Sequence, residues 1–296
     1  MSEQTMVRAE AESPRPVPEP RATARPRHFV THTVLIAGAI AMMTPFVWQV
    51  LTAVRTKADS ESVPPKLLPE HWQFSNFTKI FTEIPFGEQF LNSVLLTTGR
   101  TVAQVVLCSM AGYAFARLRF PGRNVIFVLL LSVLMIPSQL ILLPQYQIMM
   151  DLGWLNTIQA LIVPGMFSAF GTFLMRQFFA GIPVELEEAA RLDGCNPWQT
   201  FWLVMAPLAK PGMVALAILT IIWSWNDLLW PLVVNNDPKL MPLSAGLAFL
   251  QGAHEVNNDL PLMMAGSLLA SLPMIIAFVV LQKRFIQGIA MSGLKG

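Results

Sequence analysis

The chain has 296 residues, of which 54% are hydrophobic and 13% are charged, whereas a typical soluble domain has about 25% charged residues. This composition excludes an ordinary soluble domain and indicates a membrane protein. The formal net charge of only +2 gives no strong overall field, so nothing in the composition points to nucleic acid as a partner.

Sequence signatures of several enzyme classes are missing from the chain. It contains no Gly-x4-Gly-Lys-Ser/Thr loop, no His-Glu-x-x-His pair and no Gly-x-Ser-x-Gly turn, which are the motifs of nucleotide, zinc-dependent and serine hydrolysis. The four histidines are scattered, and Cys108 and Cys195 stand in unrelated contexts, so no metal-binding spacing appears. We therefore expect no catalytic residue, no metal and no cofactor bound by this chain.

The first 29 residues differ from the rest of the chain. Residues 1–29 contain five prolines and mixed charges with almost no large apolar side chains, a composition that predicts a disordered tail. The apolar run that follows is longer than the core of a cleavable signal peptide. We expect that run to be an uncleaved first span.

Residues 30–296 are predicted to form one all-α domain that crosses the membrane six times. A helix needs about 20 mostly apolar residues to cross a hydrocarbon layer of about 30 Å. Six stretches meet this requirement, namely Val30–Val54, Phe90–Ala116, Asn124–Gln145, Thr157–Ala180, Gly212–Val234 and Leu260–Gln282. Prolines inside or at the end of these spans are candidate bending points, namely Pro45, Pro137, Pro144, Pro164, Pro231 and Pro273.

The distribution of basic residues predicts the orientation of the chain. With the N-terminus in the cytoplasm, 14 of the 20 Lys and Arg residues fall on the cytoplasmic side, as the positive-inside rule requires. The clearest local signal is the connection 117–123, which holds Arg117, Arg119 and Arg123. Both termini are therefore expected to be cytoplasmic.

The segment 181–207, between the fourth and fifth spans, is too polar to cross a membrane but has helical periodicity. Pro183 suits a first helical position, and Asp193-Gly194 is expected to end a first short helix. Asn196-Pro197 predicts the start of a second helix, which Pro207 is expected to end.

The two halves of this segment suggest different surroundings. Leu186, Ala189 and Ala190 share one face of the first helix, and the second helix carries an apolar stripe of Trp198, Phe201, Trp202 and Met205. The stripe would suit the lipid headgroups, whereas the acidic first half favours a protein partner, because the inner leaflet is anionic. The periodicity alone leaves both alternatives open.

Polar residues inside the spans indicate a cavity. Arg100 lies in the middle of the second span, where an unpaired charge costs roughly 2.5–3.5 kcal/mol, and Asp227 is a possible partner. The run 223–230 offers hydrogen-bonding groups and flat aromatic faces, which suit a hydroxylated solute. Candidate pathway residues are Arg100, Trp223, Trp225, Asn226, Asp227 and Trp230.

The segment 181–207 also carries a family motif. Glu188-Ala-Ala-x3-Gly194-x9-Val204-x-Ala206-Pro207 resembles the EAA motif of ABC importer permeases, with Val204 and Ala206 as mild departures from isoleucine and leucine. Ala111–Arg117, Met135–Pro137, Leu152–Asn156 and Trp225–Asp227 are similar to carbohydrate-type permeases, on the pattern of the maltose-system G subunit. The closing Gly288…Gly293-Leu-Lys-Gly296 adds to the likeness, which covers nearly the whole chain beyond the tail.

This resemblance implies the function and the partners. Such a chain is a permease of a prokaryotic inner-membrane importer that carries a sugar, an oligosaccharide or a related polyol. Its expected partners are two copies of a cytoplasmic ATPase that holds ATP and Mg²⁺, a second related permease, an extracytoplasmic solute-binding protein and membrane lipid, with no nucleic acid.

The resemblance also assigns roles to particular regions. The implied ATPase-coupling residues are Glu187, Glu188, Ala189, Ala190, Asp193, Gly194 and Pro207, and Gly293–Gly296 is implied more loosely to reach toward the ATPases. We call residues 181–207 the coupling segment. The outer loops, 55–89 and 235–259, are the expected docking surface for the binding protein. The competing interpretation is an ion-coupled secondary transporter that uses Asp227.

Overall fold

The computed structural model describes residues 28–62, 67–253 and 259–293. Within these ranges the chain is helical and contains no strand, which confirms the predicted all-α class. Most of the tail and the C-terminal residues 294–296 lie outside the described residues, as do 63–66 and 254–258 in the two outer loops. The chain divides into two compact units, residues 1–47 and 48–296.

The described α-helices are α1 His28–Ala53, α2 Lys57–Ser60, α3 Asn76–Glu83, α4 Phe86–Arg117, α5 Arg123–Ser132, α6 Ser138–Asp151, α7 Ile158–Ile162, α8 Ala169–Ala180, α9 Val184–Leu192, α10 Pro197–Gln199, α11 Ala206–Leu208, α12 Lys210–Trp225, α13 Leu229–Val234, α14 Leu243–Ala253 and α15 Leu260–Gly293. Two 3₁₀ turns, Val133–Met135 and Val163–Gly165, follow α5 and α7. A π-helix, Thr200–Met205, joins α10 to α11.

Three described stretches are long and apolar enough to cross a membrane as single helices: Val30–Ala53, Phe86–Arg117 and Leu260–Val280. They agree with the first, second and sixth predicted spans. Three bent helix pairs raise the number of candidate spans to at most six by length and composition. The predicted count of six is therefore compatible with the structure and stays a prediction.

The third and fourth predicted spans are not continuous helices. Arg123–Met135 meets Ser138–Asp151 at 103°, and Ile158–Gly165 meets Ala169–Ala180 at 43°. The first break follows from Pro137, because a proline disfavours the helical conformation of the residue before it, and Ile136 is extended with ψ 121°. Pro164 lies in the 3₁₀ turn at the second bend.

The predicted fifth span, Gly212–Val234, is not one continuous helix. Its helix α12 begins at Lys210 and ends at Trp225, and α13 restarts only at Leu229. The residues between them, including Asp227, form an irregular connection. Hydropathy alone could not reveal this break, because apolar residues continue on both sides of it.

The outer loops contain helices that the sequence analysis did not predict. Helices α2 and α3 lie in the first loop, and α14 lies in the second. α14 shares a buried apolar cluster with α3 and α15, in which Ile80, Leu243 and Leu262 meet. These loops are therefore packed structures in their described parts.

Helix α4 organises the second unit. It packs against α8, α12 and α14, and its residues enter two further buried clusters. Leu96 lies with Leu161 and Trp230 in one cluster, and Tyr113 lies with Phe179 and Phe201 in the other. The second of these clusters fixes the coupling segment to the rest of the bundle.

Candidate coupling segment and translocation pathway

The coupling segment folds as two short helical pieces around a glycine turn, as the sequence predicts. Gly194 has φ +87°, a left-handed conformation that favours glycine. Its N–H donates to the Arg191 carbonyl at 3.0 Å, and the Cys195 N–H donates to the Ala190 carbonyl at 3.0 Å. These bonds satisfy carbonyl groups that the end of α9 would otherwise leave free.

The second piece starts where the sequence predicts and ends elsewhere. The Asn196 side chain accepts the Gln199 N–H at 2.9 Å, and the Gln199 side chain accepts the Asn196 N–H at 2.9 Å, which is a complete capping box. Two details of the prediction are wrong. Pro183 occupies the N-cap of α9 and not its first helical position, and the helix continues through Pro207 to Leu208 before a 76° bend into α12.

Burial divides the apolar stripe of the second piece. Phe201 and Met205 are buried, and the ring centroid of Phe201 lies 5.3 Å from that of Tyr113 on α4. Trp198 and Trp202 on the same stripe are exposed. The stripe thus anchors the segment with one half of its residues and presents the other half outward.

In the first piece, α9, some residues of the predicted ATPase contact are exposed and others are buried. Glu188, Ala189, Asp193 and Gly194 are exposed, and the neighbouring Leu192 is 89% exposed. Ala190 is 5% exposed and Glu187 only 3%. The Glu187 and Ala190 side chains therefore face the chain's own interior, and the outward surface of α9 consists of the other residues.

Glu187 is held by residues that the sequence analysis did not connect with it. Its carboxylate accepts hydrogen bonds from the Tyr113 hydroxyl at 3.2 Å and from Arg191 Nη2 at 2.7 Å. Arg117 Nε lies 3.8 Å from its Oε2. Arg117 also donates to the carbonyl oxygens of Phe179 and Ile182, so this arginine ties α4 to the end of α8 and to α9 together.

The Arg191 contact was readable from the sequence, because a glutamate and an arginine four residues apart face each other on a helix. The Tyr113 and Arg117 contacts were not, since 74 residues separate Tyr113 from Glu187. From the sequence, Arg117 was predicted only to help set the orientation of the chain. In the structure it also lies beside the buried Glu187 carboxylate, at 3.8 Å.

The second candidate site lies at the middle of α4. Arg100 Nη1 is 2.7 Å from Asp227 Oδ2, which confirms the pairing that the sequence suggested. Arg100 Nε and Nη2 both donate to the Leu161 carbonyl, at 2.8 and 2.6 Å. The arginine is 8% exposed, so its charge is compensated by a carboxylate and a backbone dipole inside the bundle.

A row of polar side chains on α4 continues from this ion pair. Gln104 Nε2 donates to the Gly165 carbonyl at 2.8 Å, and Gln104 Oε1 accepts a hydrogen bond from the Thr220 hydroxyl at 3.0 Å. Cys108 Sγ lies 3.5 Å from the Ser168 carbonyl. Arg100, Gln104 and Cys108 are spaced by four residues and therefore share a face of α4. They satisfy carbonyl groups near the bend between α7 and α8.

Of the predicted pathway tryptophans, two are fixed inside the bundle. Trp230 is 8% exposed and donates its indole N–H to the Ala160 carbonyl at 2.8 Å. Trp225 donates to the Ala270 carbonyl at 3.1 Å. Trp223 is 51% exposed, and Asn226 is exposed and donates to the Ile222 carbonyl. The run 223–230 therefore does not form one continuous polar surface.

Asp227 and Trp230 do meet at a cavity of about 220 Å³. The side chain of Asp227 is 22% exposed, so its carboxylate retains access to this space. The other lining residues are Ser138, Gln139, Leu142, Gln145 and Leu229. A carboxylate, two amides, a hydroxyl and an indole face combine the hydrogen-bonding and flat apolar groups that a sugar requires.

The chain matches the family described as "Binding-protein-dependent transport system inner membrane component" over residues 104–291. It is 39% identical to an arabinooligosaccharides transport system permease protein of Halalkalibacterium halodurans over 229 residues, 77% of this chain and 81% of that protein. It is 31% identical to a diacetylchitobiose uptake system permease protein of Streptomyces coelicolor, over 86% of this chain and 85% of that protein.

Another relative is an sn-glycerol-3-phosphate transport system permease protein of Pectobacterium atrosepticum, 31% identical over 88% of this chain and 95% of that protein. Among solved structures, a bacterial ABC transporter that imports the acidic polysaccharide alginate matches with a TM-score of 0.76 and 26% identity, over 87% of this chain and 96% of that chain. The alginate transporter bound to a periplasmic protein shares the fold at 12% identity and a TM-score of 0.61, over 90% and 95%.

Proposed function

This chain belongs to the family of binding-protein-dependent transport system inner membrane components, and we propose that it forms, with a second related permease, the path by which a sugar, an oligosaccharide or a related polyol enters the cytoplasm. It is a permease of the sugar ABC importer type. The relatives are named as permeases of transport or uptake systems for arabinooligosaccharides, diacetylchitobiose and sn-glycerol-3-phosphate. These solutes all carry several hydroxyl or phosphate oxygens, which supports this substrate class.

The proposed assembly contains two copies of a cytoplasmic ATPase and an extracytoplasmic solute-binding protein besides the two permeases. ATP and Mg²⁺ would be held by the ATPases, and this chain would hydrolyse no ATP itself. Both termini would be cytoplasmic, in keeping with the basic connection 117–123. The described parts of the loops 55–89 and 235–259 would receive the binding protein on the opposite face.

The observation that carries the coupling proposal is the division of α9 into an anchored and a free face. Glu187 and Ala190 are buried against the bundle, whereas Glu188, Ala189 and Leu192 are exposed. A partner could therefore bind the free face without disturbing the anchor. Glu188, Ala189, Asp193 and Gly194 are the proposed ATPase contact, and Glu187 is proposed to position it.

Helix α4 connects the coupling segment physically to the middle of the bundle. Tyr113 and Arg117 hold Glu187, and Arg100 on the same helix holds Asp227. Seventeen residues of helix separate Arg117 from Arg100, which is about 25 Å. Movement of the docked segment would displace α4 and with it the ion pair beside the cavity.

In this proposal the solute passes the cavity lined by Asp227 and Trp230. Asp227 would accept hydrogen bonds from solute hydroxyls while Arg100 holds the carboxylate in place. Trp230 would form a wall, since its indole N–H group already bonds to a backbone carbonyl, whereas Trp225 does not line this cavity and is fixed to the Ala270 carbonyl. Trp223 and Asn226, which are exposed, would lie at the margin of the path.

The ion-coupled alternative receives no support. The chain belongs to a binding-protein-dependent transport family, and the carboxylate of Asp227 is paired with Arg100 at 2.7 Å. A coupling carboxylate must exchange its proton or cation during each cycle, whereas this one is neutralised by a resident cation.

Two experiments test the proposed function: the first identifies the subunits of the complex, and the second tests the coupling of the ATPase to transport. The tagged chain, solubilised from native membranes in mild detergent, should carry with it an ATPase with a nucleotide-binding loop and a second permease, identified by mass spectrometry. Recovery of the chain alone from several detergents would contradict the proposed assembly.

The coupling test uses Glu188→Lys, which reverses one exposed charge on the free face of α9. We expect the variant to insert normally but to retain less ATPase, and ATP-driven uptake in vesicles to fall at least about tenfold, because reversing a charge within the proposed interface disrupts its electrostatic complementarity. Gly194→Pro should have the same effect, because proline cannot adopt φ +87°. Glu83→Lys, an equal charge change at an exposed position of α3, is the control for ATPase retention. Normal uptake in both coupling variants would refute the assignment.

A further inference from the structure

Two neighbouring cavities lie at the short connection between α4 and α5. Their volumes are about 560 and 400 Å³, and both are lined by Arg119 and Arg123. The larger also reaches Arg117, Glu187, Glu188 and Arg191 of the coupling region. The smaller extends along the start of α5 to Val125. The function proposed above uses Glu187 and Glu188 on the larger cavity but neither Arg119 nor Arg123.

The charges around these cavities are unevenly compensated. The larger cavity has four arginines and two glutamates on its walls. Glu187 accepts a hydrogen bond from Arg191 and faces Arg117, and Glu188 is exposed at the edge. The excess positive charge therefore resides on Arg119 and Arg123, which both cavities share. The first turn of α5 carries no acidic side chain that would oppose an anion there.

The chemistry of the two arginines, which line both cavities, suits a phosphate. Arg119 is exposed, and Arg123 is partly buried with Nη1 donating to the Leu118 carbonyl at 3.2 Å. That bond orients the Arg123 guanidinium and leaves further N–H groups of both arginines to donate. Guanidinium groups bind phosphate oxygens in charge-assisted, often bidentate pairs.

An apolar surface continues directly from the smaller cavity. Val125, Val128 and Leu129 are 65%, 64% and 61% exposed, and their spacing places them on one face of α5. Because α5 starts an apolar stretch at Arg123, we expect the two arginines to lie where the polar surface of a membrane meets its hydrocarbon. A ligand that satisfies both parts has an anionic head and apolar chains.

We propose that Arg119 and Arg123 bind the phosphate of an anionic phospholipid, whose acyl chains lie along Val125, Val128 and Leu129. Basic pockets beside membrane helices recognise anionic headgroups in this way. The inference rests on the proposed function only in placing this chain within an importer complex. Since the larger cavity also reaches Glu188 and Arg191, the bound headgroup would lie beside the coupling segment.

The test measures lipid retained by the intact importer complex. The complex is reconstituted in nanodiscs of phosphatidylcholine containing phosphatidylglycerol, and the lipids that remain bound are identified by native mass spectrometry. R119Q/R123Q should lower the affinity for phosphatidylglycerol at least about tenfold, because each basic residue near an anionic surface contributes about 1 kcal/mol. K79Q/K239Q removes the same charge from exposed lysines of the outer loops and should retain as much phosphatidylglycerol as the unchanged complex.

Equal retention by R119Q/R123Q and the unchanged complex would overturn the proposal, as would retention of phosphatidylcholine and phosphatidylglycerol without preference. A photoreactive residue at Val128 tests the acyl path. Cross-links to lipid would support it, and cross-links to the companion permease alone would overturn it. These measurements need no transport, so their failure is distinguishable from failure of ATP-driven uptake.

Discussion

At the end of α4 nearest the coupling segment, Tyr113 and Arg117 hold the Glu187 carboxylate of α9, whereas at the middle of the same helix Arg100 holds the Asp227 carboxylate between α12 and α13. The Glu187 side chain is 3% exposed and lies near two arginines and a tyrosine. The Asp227 side chain is 22% exposed and pairs with one arginine beside a cavity.

The difference shows how one helix can serve two purposes. A carboxylate held by three side chains can fasten a segment but has little surface left for a ligand, and Glu187, which is 3% exposed although it lines the cavity beside α9, is of this kind. A carboxylate fixed from one side and open on the other can do both. The same pairing of acid and arginine therefore supports a positioning role at one site and a solute contact at the other.

The largest stability effect is expected at the middle of α4. Asp227→Leu leaves the buried Arg100 without its counter-charge and should lower the free energy of unfolding by about 3–5 kcal/mol. Arg100→Met/Asp227→Leu should lose less than the sum of the two single variants, because the double variant contains no unpaired charge. Thermal unfolding of the detergent-solubilised complex measures all three variants. Additive losses would show that the Arg100 and Asp227 side chains do not interact, and the contrast drawn between the two carboxylate sites on α4 would then be wrong.

A smaller loss is expected at the other site. Glu187→Gln keeps an acceptor for Tyr113 but removes the charge between Arg117 and Arg191, and it should cost about 2–3 kcal/mol. The matched control Glu188→Gln changes the adjacent exposed residue and should stay within about 0.5 kcal/mol. Thermal unfolding measures the stability of each variant. Relative to the stability that each variant loses, the loss of bound ATPase should be greater for Glu188→Gln than for Glu187→Gln. Equal stability of the two variants would contradict the anchored-and-free division of α9.

The sequence predicted those features of both sites that depend on local chemistry. The backbone preferences of Gly194, Asn196 and Pro197 predict a turn followed by a capped helix start, and the structure contains both. The intramembrane charge of Arg100 similarly signals that a partner must exist. In each case the prediction follows from the residue itself, either from its backbone preference or from the free-energy cost of leaving its charge unpaired.

What the sequence could not predict depends on distant segments. Helical periodicity gave α9 an apolar face of Leu186, Ala189 and Ala190, yet the buried side chains are Glu187 and Ala190, because α4 supplies a polar pocket that a periodicity argument cannot represent. Pro137 was among the candidate bending points, and the 103° bend confirms it, whereas the break around Asp227 escaped for a related reason. Hydropathy averages over a window and does not distinguish one continuous helix from two helices at an angle.

The smallest effect expected here concerns how closely α7 and its following turn approach Arg100. A Cβ atom at Gly165 would lie 2.5 Å from Arg100 Nε, so Gly165→Ala must displace the guanidinium or the turn. Overpacking of this kind costs about 1–3 kcal/mol. At Gly181, where the nearest atom would be 3.5 Å away, the same substitution should change stability by less than about 0.5 kcal/mol. Thermal unfolding of both variants gives the comparison.

Because the Arg100 guanidinium bridges Leu161 and Asp227, Gly165→Ala should also disturb the cavity side of Asp227. The expected signature is a raised KM for ATP-driven uptake with ATPase retention unchanged, while Gly181→Ala, at the border of the coupling segment, leaves KM as it was. If Gly165→Ala instead lowered ATPase retention and left KM unchanged, the middle of α4 would belong to coupling and not to the solute path. The two sites on this helix would then share a single role.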